Sequence, residues 1–175
     1  MPIRTCRDEL PWSIARANDN LHFPLQLVDP PGSALYNKIE YGVAYASEQK
    51  ERTLRRHRYD TLAEGIGLDR ITHNISLGIE SIDTAIRVSD QEAVDMAHWL
   101  LSNEGLWVGS SSAMNVVGAI RTAWTLPENS TVVTVICDGG NRHATRFWNP
   151  NFIQAWGLEW PGEMERIPEC LQNVR

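Results

Sequence analysis

Between Thr84 and Asp138 the sequence alternates short β-branched runs with longer segments of helical period, and that alternation limits the folds open to it. TAIRVSD reads as a short strand. It runs into Ser89 and Glu92, an S-x-x-E capping box. QEAVDMAHWLLSNEG then carries Ala93, Met96, Ala97 and Leu100 on one helical face and closes at Gly105. LWVG reads as a buried strand, and GSSSAMNVVGAIRTAWTL as a second helix stopped near Pro127. TVVTVICD has the composition of a strand covered on both faces. This order predicts an α/β fold with a mainly parallel sheet.

The first half is less regular. ARANDN is turn-like, and LHFPLQLVD is a short strand ended by Pro30-Pro31-Gly32. Ser33 is placed to cap a helix through SALYNKIEYGVAY, where Leu35, Ile39 and Val43 recur at helical spacing. ERTLRRHRYD is basic and polar, the pattern of a solvated face. TLAEGIGLDRITHNISLG is broken by Gly65, Gly67 and Gly78, and a last helix is expected in NPNFIQAWG.

Bulk properties remove several functions. With 42% hydrophobic and 22% charged residues the 175-residue chain can bury a core, and its net charge of -6 opposes binding to nucleic acid or anionic membranes. No stretch approaches the about 20 apolar residues of a membrane span. Cys6, Cys137 and Cys170 are too scattered for a disulfide framework or a CxxC motif, and the five histidines show no metal-ligand spacing. No metal site is expected. The N-terminus has no signal-peptide core. The expected compartment is the cytoplasm, or the mitochondrion if a lost N-terminal segment carried a signal.

Ligands of open α/β sheets gather where strand ends meet helix starts, and two places fit. At Gly109-Ser110-Ser111-Ser112-Ala113 the serines either cap the helix or offer an anion site. The same segment is a loose relative of a nucleophile elbow, with Ser111, Asp138 and His143 in the order of an α/β-hydrolase triad. Asp138 and His143, five residues apart, leave little chain to align behind Ser111. At Asp138-Gly139-Gly140-Asn141 the glycines suit either a plain turn or close approach to a ligand.

Four segments, in order, carry a family resemblance: VDPPGSALYN, AEGIGLDRIT, EGLWVGSSSAMN and TVVTVICDGGNRHATRFWNP. They resemble the C-terminal part of fungal-type cysteine synthases, pyridoxal-phosphate (PLP) enzymes of the tryptophan-synthase-β-like superfamily. The resemblance runs from about Leu25 to Gly157. It divides the chain into a non-matching segment 1–24, a partial synthase-like domain 25–157 and a tail 158–175. It implies an incomplete large domain of PLP fold type II. The family's reaction is β-replacement, in which O-acetylserine and sulfide give cysteine. The resemblance also implies cofactor contacts at Gly139 and Gly65.

Set against the family pattern, three parts are missing. No NPTGSxKDR-like segment supplies the Schiff-base lysine, and the two lysines, Lys38 and Lys50, lie in polar contexts. No GTGGT-like phosphate loop occurs. Gly139 stands where the family's CDSG serine reaches the pyridine nitrogen of PLP. The expectation is therefore a truncated, synthase-like pseudoenzyme with no catalytic residue of its own and little or no activity alone, for which PLP binding by the isolated chain is doubtful. Its expected setting is a homo- or hetero-oligomer with a cysteine synthase-like chain, with a non-catalytic partner role or a Ser111 hydrolase as alternatives.

Overall fold

Strand β1 (Gln26–Asp29) and strand β2 (Thr84–Arg87) pair in parallel, with Gln26 opposite Thr84 and Asp29 opposite Arg87. A parallel pair needs a crossover, and the chain between the strands supplies one that includes helical turns. The structure is a computed structural model, and it describes residues 24–46, 61–161, 168 and 171. ERTLRRHRYD and Lys50 lie outside the described residues, as do residues 1–23.

After β1 comes α1 (Leu35–Tyr41), then the single-turn α2 (His73–Ser76) and a 3₁₀ turn at Ile79–Ser81. α1 is shorter than the expected helix because Gly42 takes a left-handed conformation (φ 77°) and closes it. Ser33 does not occupy its N-cap; Ala34 does, without a side-chain cap bond. The buried Asp29 carboxylate instead accepts from the Tyr36 N–H at 2.8 Å. Ser33 Oγ accepts from Leu35 N and Leu68 N and donates to Leu68 O, joining the helix start to a distant loop.

Two longer helices form the body of the fold. α3 (Asp90–Glu104) begins in the expected capping box: Ser89 Oγ accepts from Glu92 N, and Glu92 Oε2 accepts from Ser89 N at 2.9 Å. It ends at left-handed Gly105, as expected. α4 (Ser110–Ala123) packs along it, and α5 (Pro150–Ala155) follows a 3₁₀ turn at Gly140–His143. Ala93, Met96, Ala97 and Leu100 are buried against Ala113, Met114 and Val117 of α4 and Ile153 of α5. No helix is long and apolar enough to cross a membrane, among the described residues.

Two expected strands are not strands. LWVG forms only an isolated antiparallel bridge, Val108 to Gly139, and Leu106 and Trp107 are about half exposed. TVVTVIC forms no strand among the described residues, and Val133 is 87% exposed. A β-branched composition favours an extended backbone; only a neighbouring strand makes a ladder, and none of the described residues supplies it.

α4 crosses β1 closely. A Cβ on Gly118 would stand 2.3 Å from Val28 Cγ2, so the helix can lie on the strand only without a side chain there. On α3, the His98 ring lies 4.8 Å from that of Trp148 and 4.4 Å, edge-on, from that of Trp160. Its buried Nε2 has no hydrogen-bond partner among the described residues, and burial pushes its pKa down to about 4.

Two outcomes follow. Gly118→Ala adds about 1 kcal/mol of helix propensity but overpacks Val28 at a cost of about 1–3 kcal/mol. The urea midpoint should therefore fall, and adding Val28→Ala should recover part of it. His98 binds a proton more weakly folded than unfolded, where its pKa is about 6.5. The stability that depends on its neutral form is complete above that value and is lost as pH falls toward about 4. Urea titrations across this window should show a steeper acid loss in the wild type than in His98→Gln.

Candidate functional site

The loop Thr61–Leu68 and the turn Asp138–His143 meet at the start of α4. The loop is anchored by Asp90, a buried residue in the first turn of α3. One Asp90 oxygen accepts from Thr61 Oγ1 at 2.5 Å and the other from Leu62 N at 2.9 Å. Burial raises the Asp90 pKa, and these two bonds oppose the rise. Ser110 Oγ then accepts from Glu64 N, and Gly65 and Gly67 turn the chain at φ 82° and 80°.

The turn is held by the next serine but one. Ser112 Oγ accepts from Cys137 N at 2.9 Å and Asp138 N at 3.2 Å, and donates to Asp138 O. Gly109, not a serine, is the N-cap of α4, and no side chain caps the helix. Ser110 and Ser112 use their hydroxyls on neighbouring chain instead, so neither of the simple alternatives for this segment describes them.

His143 is 5% exposed, and its Nε2 lies 2.7 Å from Asp138 Oδ2. The 3₁₀ turn brings the two residues together despite their short separation. They press on Gly109, where a Cβ would stand 2.1 Å from Asp138 Oδ1 and 2.8 Å from His143 Nε2. The remaining ring nitrogen, Nδ1, is buried without a hydrogen bond among the described residues and lies 4.0 Å from Glu64 Oε2. No hydrogen bond joins Ser111 to this pair among the described residues. The triad therefore lacks its nucleophile contact, since a general base must reach the hydroxyl it activates.

Glu64 also accepts from Arg146 Nη1 at 2.8 Å. The loop, Arg146, Phe152 and Trp156 line a cavity of about 360 Å³. Gly65 lies in this lining, whereas Gly139 does not. Asp90, Glu64 and Arg146 had not been singled out from the sequence. Asp90 follows the cap residue Ser89 and could have been suspected. Glu64 and Arg146 are 82 residues apart, and no local pattern announces their pairing.

The two neighbouring glycines of the turn differ sharply. A Cβ on Gly140 would meet the indole nitrogens of Trp107 and Trp148 at 2.2 and 2.6 Å. A Cβ on Gly139 would meet only the movable Asn141 Oδ1 at 2.9 Å before a backbone oxygen at 3.7 Å. Space for a small side chain exists at 139; a donor does not.

The described residues do not by themselves fit PLP. Among the described residues the cavity lining contains no lysine, and Lys38 is half-buried near the end of α1, with Nζ donating to Gly42 O at 2.9 Å. Gly139 has no side chain to offer a pyridine nitrogen. Among the described residues, no group of three or more His, Cys, Asp or Glu is placed to hold a metal.

The three adjacent serines make an internal test. Ser112→Ala strands the Cys137 and Asp138 N–H groups and should cost about 1–3 kcal/mol in urea unfolding. Ser111→Ala should cost less, and Ser111 should take no fluorophosphonate label.

A family model described as "Pyridoxal-phosphate dependent enzyme" matches residues 15–138. Cysteine synthase 2 of Neurospora crassa is 52% identical over 133 residues, covering 76% of this chain and 29% of that protein. Cysteine synthase 2 of Schizosaccharomyces pombe is 45% identical over 148 residues, covering 85% and 36%. The crystal structure of O-acetylserine dependent cystathionine beta-synthase from Helicobacter pylori superposes with a TM-score of 0.53 at 29% identity, covering 71% of this chain and 34% of that one. The chain thus spans about a third of the length of the curated relatives it matches. The family match, the order of the four motif segments and the shared fold agree: the chain belongs to the pyridoxal-phosphate-dependent enzymes, as a partial, cysteine synthase-like member with a tryptophan-synthase-β-like fold.

Proposed function

We propose that this chain is a cysteine synthase-like protein with little or no β-replacement activity alone, working in an assembly with a cysteine synthase-like chain. The observation that carries this is the donor set of the site. The 61–68 loop and the 138–143 turn are folded and joined through Glu64, Ser110, Ser112 and His143, yet they present neither a lysine nor a side chain at residue 139. In this reading Gly65 and Gly139 are backbone positions beside the cofactor that a completing chain binds. The family reaction, O-acetylserine and sulfide to cysteine and acetate, belongs to the assembly.

A partner role draws support from the exposed Val133, Val135 and Ile136, apolar side chains of the kind that folding normally buries. Three scattered cysteines suit a reducing compartment, and the cytoplasm is the location that goes with this reading.

The purified chain, incubated with PLP and passed through gel filtration, should retain no cofactor and form no cysteine from O-acetylserine and sulfide. Retained PLP together with cysteine formation would overturn the proposal. In an assembly that does hold PLP, Gly139→Ser should tighten cofactor binding by about fivefold, the worth of about one hydrogen bond.

A further inference from the structure

His143 stands between two carboxylates that come from different segments. Its Nε2 lies 2.7 Å from Oδ2 of Asp138 in the turn, and its Nδ1 lies 4.0 Å from Oε2 of Glu64 in the 61–68 loop. The ring is held in place by its surroundings. It is buried against Gly109 at the start of α4, and the His143 carbonyl accepts from Arg146 N and Trp148 N, both at 3.1 Å. Arg146 in turn donates to the other oxygen of Glu64 at 2.8 Å. One short segment thus faces both oxygens of a single loop carboxylate.

The chemistry of imidazole decides what this arrangement does. A neutral ring carries one N–H and donates to one carboxylate; only an imidazolium donates from both nitrogens. With the single proton on Nε2, facing Asp138, the Nδ1 lone pair is set against the Glu64 carboxylate. A second proton turns that nitrogen into a donor. Closing the gap to a charge-assisted bond then takes a shift of about 1 Å, which the Glu64 side chain, 44% exposed, has room to make.

We infer that His143 is a positioning residue which, as an imidazolium, bridges Asp138 and Glu64 and so ties the 138–143 turn to the 61–68 loop. Loss of the Nδ1 proton undoes the loop side of the bridge and leaves the Asp138 side in place. The inference goes beyond the assembly reading and does not rest on it.

The charged groups facing the ring, among the described residues, are Asp138 of its own turn and Glu64 of the loop, with Arg146 on the far oxygen of Glu64. The start of α4 adds the partial positive charge of a helix N-terminus. Flanking carboxylates offset the cost of burying an imidazolium. Gly65 directly follows Glu64 and Gly139 directly follows Asp138, so the bridge sets the spacing of these two backbone positions. The loop is held independently at its ends, where Leu62 N donates to Asp90 and Leu68 N to Ser33 Oγ. The effect of the proton is therefore confined to the stretch between them, where Gly65 and Gly67 turn the chain.

The test uses the full chain labelled with ¹⁵N in histidine. Ring-nitrogen spectra are followed from about pH 5 to 8, where histidines usually change charge, and His143→Gln identifies the signals by their loss. The neutral ring should hold its proton on Nε2. Glu64→Gln should lower the pH midpoint of the His143 ring by about half a unit or more. Arg146→Gln should raise it, because the carboxylate is then left to the imidazolium alone. Both replaced side chains are substantially exposed, so the fold should tolerate either change. The Gly65 amide shift should follow the same midpoint in the wild type and lose that step in Glu64→Gln, while the Leu62 and Leu68 amides stay still.

A neutral ring protonated on Nδ1 overturns the inference. So does a ring that never takes a second proton, a midpoint that Glu64→Gln leaves unmoved, or a Gly65 amide that ignores the titration. None of these readouts needs PLP or a partner chain. A chain that retains PLP and makes cysteine by itself would overturn the assembly reading and leave the bridge standing.

Discussion

The corner at the start of α3 is the constraint on which the rest of the structure hangs. Glu92 closes the capping box with Ser89 and pairs with Arg121 of α4, while Arg121 also donates to Arg87 O at the end of β2. One carboxylate thus satisfies a helix terminus and joins the second strand to both long helices. The partners are only partly exposed, so this pair is screened less than an ion pair in open solvent. Asp90, two residues away, extends the same corner to the 61–68 loop. Helix pair, sheet and loop are therefore set by one turn of sequence, S-D-Q-E.

From that corner outward, each element holds the next by side-chain to backbone bonds. Ser110 receives the loop and Ser112 receives the turn, so the start of α4 aligns two segments far apart in the chain. Bonds of this kind fix position without adding a reactive group. They explain how the loop and the turn can be firmly placed although neither presents a lysine.

What could be read from the sequence follows the range of the forces involved. α3 was legible to its last residue, because a capping box, an apolar face and a terminal glycine are all local. The parallel pairing of β1 and β2 was legible from the alternation of strand and helix rather than from any local signal. The serines of α4 were not, since a hydroxyl in the first helical turn serves whatever chain lies beside it, and Glu64, Cys137 and Asp138 arrive through tertiary folding. TVVTVIC reads as a covered strand and is exposed instead, because composition records the preference of a strand and not the presence of a neighbour. Asp138 and His143 were seen as a weak triad; the structure keeps their pairing with each other and leaves Ser111 outside it. Glu64 with Arg146 carried no signal at all.

Gly139 and Gly140 are neighbours in the chain, yet they stand under different evolutionary constraints. Two indole rings from positions 107 and 148 close residue 140 to every side chain, so a change there requires a simultaneous change in an aromatic residue elsewhere. Residue 139 has no such guard; Asn141 alone must swing aside. A lineage can therefore drift at 139 in either direction, losing a polar side chain or recovering one, without disturbing the fold that surrounds it. The turn keeps its shape through residue 140 and leaves its chemistry open to selection at residue 139.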